Sequence, residues 1–285
     1  MQLIAFAIVN SIVVPINFNM RKLAFLLSFS ILFVSCNKDE EVDPGTAPAM
    51  PPSTSMAPNF DDFSGSEGDG GGRQMVVRNW VYAATSVGVY SGILSGALVV
   101  PVTAFKLAVN QEATFDTGTK LWVWTYDISV PNSGSYSVKL TADVDGSDVT
   151  WTGYISKAGG FTDFVWFTGE SNFMANAGTW TLYEGPDKPN PWLSSEWSKS
   201  EVDGVADVTF TVEKPGDSFG SSISYMVDAG AELNRNVTII DTNTENSIEV
   251  LWSAENSNGK IKSQVFFEDN LYHCWDITLN DVACE

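Results

Sequence analysis

Histidine is almost missing from this chain: His273 is the only one in 285 residues, and that scarcity removes most common site chemistry. There is no HExxH pair, no second imidazole for a zinc site and no CxxC motif. A Ser–His–Asp triad would have to be built on His273, with Asp276 as the nearby carboxylate. A phosphate-cradling loop is lacking too, because "GDGGGR" follows no strand and carries no Lys-Ser/Thr. No cofactor and no resident metal are therefore expected. Positive charge is also scarce, with 15 Lys and Arg against 35 Asp and Glu. Such a chain repels phosphate backbones, which argues against nucleic acid as a partner. A protein partner found through charge would be cationic.

Cysteine occurs three times, and the first sits on a border. In "ILFVSCNKDEE" an apolar run ends at Ser35-Cys36 and an acidic segment begins. Arg21 and Lys22 precede the apolar block Leu23 to Val34, which is too short for a comfortable membrane span and suits a signal-peptide core. The stretch resembles a bacterial lipoprotein signal, with Phe33 where the commonest form has Leu. Cys36 is then the first mature residue, its sulfur carrying a diacylglycerol and its amino group a further acyl chain such as palmitate. Several acyl chains anchor firmly, at about 0.8 kcal/mol per buried methylene. A Lys followed by acidic residues, "NKDEE", resembles a surface-export signal, so the cell-surface face of the outer membrane is expected over the periplasmic one. Residues 1–35 are read as the signal peptide, with residues 1–19 either an over-extended start before Met20 or part of a longer leader. Losing Arg21 and Lys22 leaves 13 basic residues against 35 acidic ones, a net charge of −22. With Cys36 lipidated, Cys274 and Cys284 remain as a disulfide pair in an oxidising compartment, or else as two free thiols.

Residues 36–74 hold Pro44, Pro48, Pro51, Pro52 and Pro58 and then "DDFSGSEGDGGG". With no apolar periodicity, this segment reads as a disordered tether spanning roughly 35 Å as a random coil. From Asn79 to Phe105 no residue is charged. Its Ser, Thr and Gly content, and the anchor upstream, favour a buried helix over about 79–109, broken or kinked at Pro101. Gly88, Gly92 and Gly96 form a smooth stripe suited to close approach, to a sheet rather than to a membrane helix.

Everything after Gly118 alternates like strands. "LWVWTYDI" sets Trp122, Trp124, Tyr126 and Ile128 on one face, and "SYSVKLTAD" and "DVTWTGYIS" do likewise, with "VDGSD" as a hairpin turn between them. "DFVWFTGE", "GTWTLYEG", "ADVTFTVE", "SSISYMVD", "NVTII", "SIEVLW" and "IKSQVFF" follow, separated by "PDKPNP", "EVDG", "KPGDSFG" and "NSNG". The expected fold is mainly β: an antiparallel meander of about ten strands, forming a barrel or half-barrel with the helical segment packed against it. One domain over 75–285 accommodates it.

Tryptophan is abundant, with ten residues. Trp122, Trp124, Tyr126, Trp151, Trp166 and Trp180 on the inner face either line a cavity for a small apolar or glycan ligand or fill the core against the helix. Two functional readings follow. One is a non-catalytic, surface-tethered binding module; the other is an envelope hydrolase with two carboxylates about 5–10 Å apart, and a purely structural or adhesive role stands beside them. Finally, "HCWDITLNDVACE", the uncharged helix, the Trp-rich hairpins and Cys36 with "NKDEE" together resemble a family of uncharacterised lipoproteins from the Bacteroidota. The resemblance covers about residues 75–285. It implies a secreted, lipid-anchored β-domain and brings no catalytic residues.

Overall fold

The two-residue alternation of apolar and polar side chains becomes one antiparallel sheet in which chain order is sheet order. The computed structural model describes residues 45–57, 60, 63, 78–202 and 204–284. The strands are β1 (Thr114–Asp116), β2 (Leu121–Val130), β3 (Gly134–Asp145), β4 (Asp148–Lys157), β5 (Phe161–Asn172), β6 (Ala177–Gly185) and β7 (Lys188–Lys199). They continue with β8 (Ala206–Val212), β9 (Ser222–Val227), β10 (Arg235–Asp241), β11 (Asn246–Trp252), β12 (Gly259–Ser263), β13 (His273–Trp275) and β14 (Asp281–Val282). The helices are α1 (Asn79–Ala97), α2 (Val99–Ala108) and the single turn α3 (Gln264–Phe267). The signal peptide, Cys36 and the "NKDEE" segment lie outside the described residues.

In the 14-stranded sheet, β1 pairs with β2 alone and β14 with β13 alone, so it stays open. The closed barrel is thereby corrected, and the half-barrel is the form that fits. Both edges are short, three and two residues, which limits the unpaired backbone they offer to other chains. The sheet wraps around α2: the Tyr126 hydroxyl of β2 donates to the Ala104 carbonyl, 2.6 Å, while the neighbouring Phe105 ring meets Trp180 of β6 at 4.8 Å.

The four strands beyond the expected ten are β1, β7, β13 and β14. β7 hides behind "PDKPNP". Its Pro189 and Pro191 lack an N–H, and they fall where pairing with β6 shifts register around Tyr183, a place that tolerates proline. "IKSQVFF" is only half a strand, because Ser263 accepts from the Phe266 amide and caps α3.

The helical segment breaks at Leu98, three residues before Pro101. A Pro ring clashes with the carbonyl four residues back, and for Pro101 that carbonyl belongs to Ala97, the last residue of α1. Inside the first turn of α2 the missing N–H costs nothing, because that turn has no intrahelical partner. α1 packs against β12 and β13, and α2 against β2 and β4. A Cβ added at Gly88 or Gly92 would meet nothing within 4 Å. At those two positions the expected close approach to the sheet is corrected. Among the described residues no helix is long and apolar enough to cross a membrane.

The tether is corrected in its described part. Residues 45–57, with Phe60 and Phe63, form a strap across the inner face. The Ala49 amide donates to the Phe173 carbonyl, 2.9 Å, and Thr54 to the Gly204 carbonyl, 3.1 Å. Met56 is wholly buried, Phe60 stands edge-on to Tyr225 and Phe63 edge-on to Trp252. Isolated anchors at Met56, Phe60 and Phe63 leave no periodic signal, yet each fills a gap between inward aromatics.

A recurrent device sets the inner face. Gly153 lies opposite Phe167, Gly169 opposite Trp180, Gly178 opposite Trp197 and Gly259 opposite Trp275 in direct register. In each pair the buried ring lies over the glycine, where a Cβ would collide with it. The outer face carries hydroxyls by contrast. Thr141, Thr152, Thr168, Thr181, Ser194, Thr211 and Ser222 stand side by side across β3 to β9.

Candidate functional site

Between α1 and the strands β7, β8 and β9 a space remains among the described residues. Val89 of α1 is 54% exposed and forms one wall of a cavity of about 550 Å³. The facing walls are Trp192, Leu193, Phe210, Val212 and Ile223 from β7, β8 and β9, with polar residues from the β8–β9 loop and the end of β10. Its size falls within the range of small-molecule sites, and its lining has their usual composition: apolar walls with few polar groups.

The upstream half of α1 is fixed firmly. Asp281 accepts the Asn79 amide at 2.9 Å, a carboxylate at the positive end of the helix dipole. Asn79 also donates to the Cys274 carbonyl, and Arg78 to Asn280. The Tyr82 ring stacks on Phe266 at 3.7 Å, and Ala83 and Val87 are buried. Cys274 and Cys284 form the expected disulfide, with Cα atoms 5.3 Å apart. It ties β13 to the chain just beyond β14, and closing such a loop contributes about 3 kcal/mol in the chain-entropy picture.

The loop wall is tied down as well. Thr242 donates to the Phe219 carbonyl at 3.0 Å, and its amide donates to the Ser221 hydroxyl at 3.0 Å. Ser194 donates to Glu213 at 2.6 Å, and Lys214 pairs with Glu184. The β8–β9 loop, which the sequence shows only as the turn "KPGDSFG", is thus pinned to the start of the β10–β11 turn.

The six aromatic residues expected at a ligand site do not line this cavity. Trp124, Trp151 and Trp180 are fully buried core. Trp151 donates its indole N–H to Ser171 at 2.9 Å, and Trp180 donates to Ser55 of the strap at 3.0 Å. Burial pushes the Tyr126 phenol well above its ordinary range. Trp166 joins Tyr136, Phe161 and Phe164 in an aromatic cluster, and Trp122 packs on Phe115. These six side chains pack in the core or in aromatic clusters and not along this cavity; Trp151 and Trp180 find hydroxyl partners, while the Trp166 indole N–H is buried with no partner among the described residues. The tryptophan that does reach the cavity is Trp192, masked in the sequence by the flanking prolines.

His273 stacks on Phe267 at 3.7 Å, and its Nε2 lies 3.1 Å from Asp269. The Leu271 amide, and then His273, hold the Asp269 carboxyl below the usual range. Asp276 faces elsewhere, accepting from Thr278 and from the Asn280 amide. No triad forms on His273 among the described residues. Among the described residues no group of three or more His, Cys, Asp or Glu could hold a metal ion. Compared with family models, curated proteins and solved structures, the chain matches none.

Proposed function

We propose that this chain is a non-catalytic binding module of the cell envelope, anchored through lipid on Cys36, which holds a small apolar ligand. The observation that carries the reading is the apolar cavity beside α1. Among the described residues the inner face elsewhere is filled by strap, α2 and aromatics, and the loop wall of this cavity is held in place by the Thr242 hydrogen bonds. The border at Cys36 and the resemblance to Bacteroidota lipoproteins support attachment to the outer membrane, on its surface side. The acidic chain favours cationic proteins as further partners.

A carboxylate-pair hydrolase is the second reading, because Asp217 and Asp241 both line the cavity. Asp241, however, accepts the amides of Asn243 and Thr244, which is the work of a turn carboxylate. Apolar walls suit binding better than hydrolysis.

The test is a titration of purified protein with phenylnaphthylamine, a neutral probe that fluoresces in apolar sites. Val89→Trp places an indole in the cavity from a half-open position, so folding is spared. Binding is expected to fall about tenfold or more, the scale of about 1.4 kcal/mol, with the thermal midpoint unchanged. Equal binding by the variant and the parent would contradict the reading.

A further inference from the structure

The charges around the cavity are unbalanced, and this bears on what it admits. Three lining residues are charged: Lys214, Asp217 and Asp241. The cation is already matched, because Lys214 pairs with Glu184. Two carboxylates therefore remain without a cation among the lining residues, beside walls of low polarizability that strengthen their field. An anionic headgroup entering this space would meet like charge and, among the described lining residues, no unpaired ammonium. A neutral hydroxyl or amide would meet Ser218 as a hydrogen-bonding neighbour, and a cation would meet the aspartates.

We infer that the cavity selects apolar molecules whose polar end is neutral or cationic, and that it discriminates against anionic amphiphiles such as fatty-acid anions. This rests on the reading of the cavity as a ligand site. It goes beyond it by assigning the charge of the ligand, and it makes Asp217 a specificity-determining residue.

Phenylnaphthylamine and anilinonaphthalenesulfonate share one aromatic frame and differ by a sulfonate, so they form a matched pair. At low salt the neutral probe is expected to bind at least about tenfold more tightly than the anionic one. Raising the ionic strength to about 1 M shortens the Debye length to about 3 Å and should narrow that ratio. Asp217→Lys should narrow it further, to near unity or past it; Asp217 is exposed, so the change spares the fold. Equal affinities for the two probes at low salt, or a ratio unmoved by Asp217→Lys, would overturn the charge selection while leaving the cavity a binding site. Failure of both probes to bind would overturn the binding reading itself.

Discussion

Gly169→Ala is expected to lower stability by about 3 kcal/mol, the upper end for adding one methyl group to a packed interior. A Cβ there would fall 2.5 Å from the Thr179 carbonyl and inside the reach of the Trp180 ring. Neither can yield. The carbonyl belongs to the β5–β6 ladder, and Trp180 is locked by its bond to Ser55 and by Phe105 on its face. Gly88→Ala is the matched control. Nothing lies within 4 Å of that position, so the substitution should stabilise α1 by about 0.8 kcal/mol through helix propensity alone. Urea unfolding of both variants reads the contrast. Equal midpoints would mean that the Gly–aromatic pairs do not set the inner face.

The second large effect is expected from the strap. Met56→Ala should lower stability by about 2–5 kcal/mol, the range for a fully buried methionine, since Met56 is 0% exposed. Deleting residues 45–63 should do more, because Ser55, Phe60 and Phe63 leave with it. Trp180 would lose the acceptor of its indole N–H, and Trp252 and Tyr225 would lose their edge-on partners. The deletion protein should unfold at markedly lower urea with red-shifted tryptophan emission. An unchanged midpoint would restore residues 45–63 to the status of a leash.

These two results mark where the sequence can and cannot be read. The ten strands with clean alternation are legible because one face is wet and the other dry, as in Tyr136-Val138-Leu140 against Ser137-Lys139-Thr141. The helix break is legible in cause but not in place: Pro101 forces it, and the clash falls on Ala97. β7 is concealed because Pro189 and Pro191 signal a turn, whereas register shifts near Tyr183 admit them. The strap is concealed for a different reason. Its anchors are held by contacts more than a hundred residues away, such as Ser55 with Trp180, and no local period reports them. The cavity follows the same logic. Its walls come from α1, β7, β8, β9 and β10, and only the folded meander brings Val89 and Trp192 together. Inward tryptophans were the visible signal, and they mark the filled part of the trough. An inward glycine directly across from an aromatic, as at Gly169 and Trp180, is a signal the sequence does contain, once register is known.

Native mass spectrometry of the protein extracted from its own membrane addresses the central claim most directly: a lipid-anchored module that carries an apolar guest. The expected spectrum shows a chain starting at Cys36 with acyl groups attached, plus a noncovalent mass that Val89→Trp removes. A bare, unacylated chain in repeated preparations, with no guest in either protein, would contradict it.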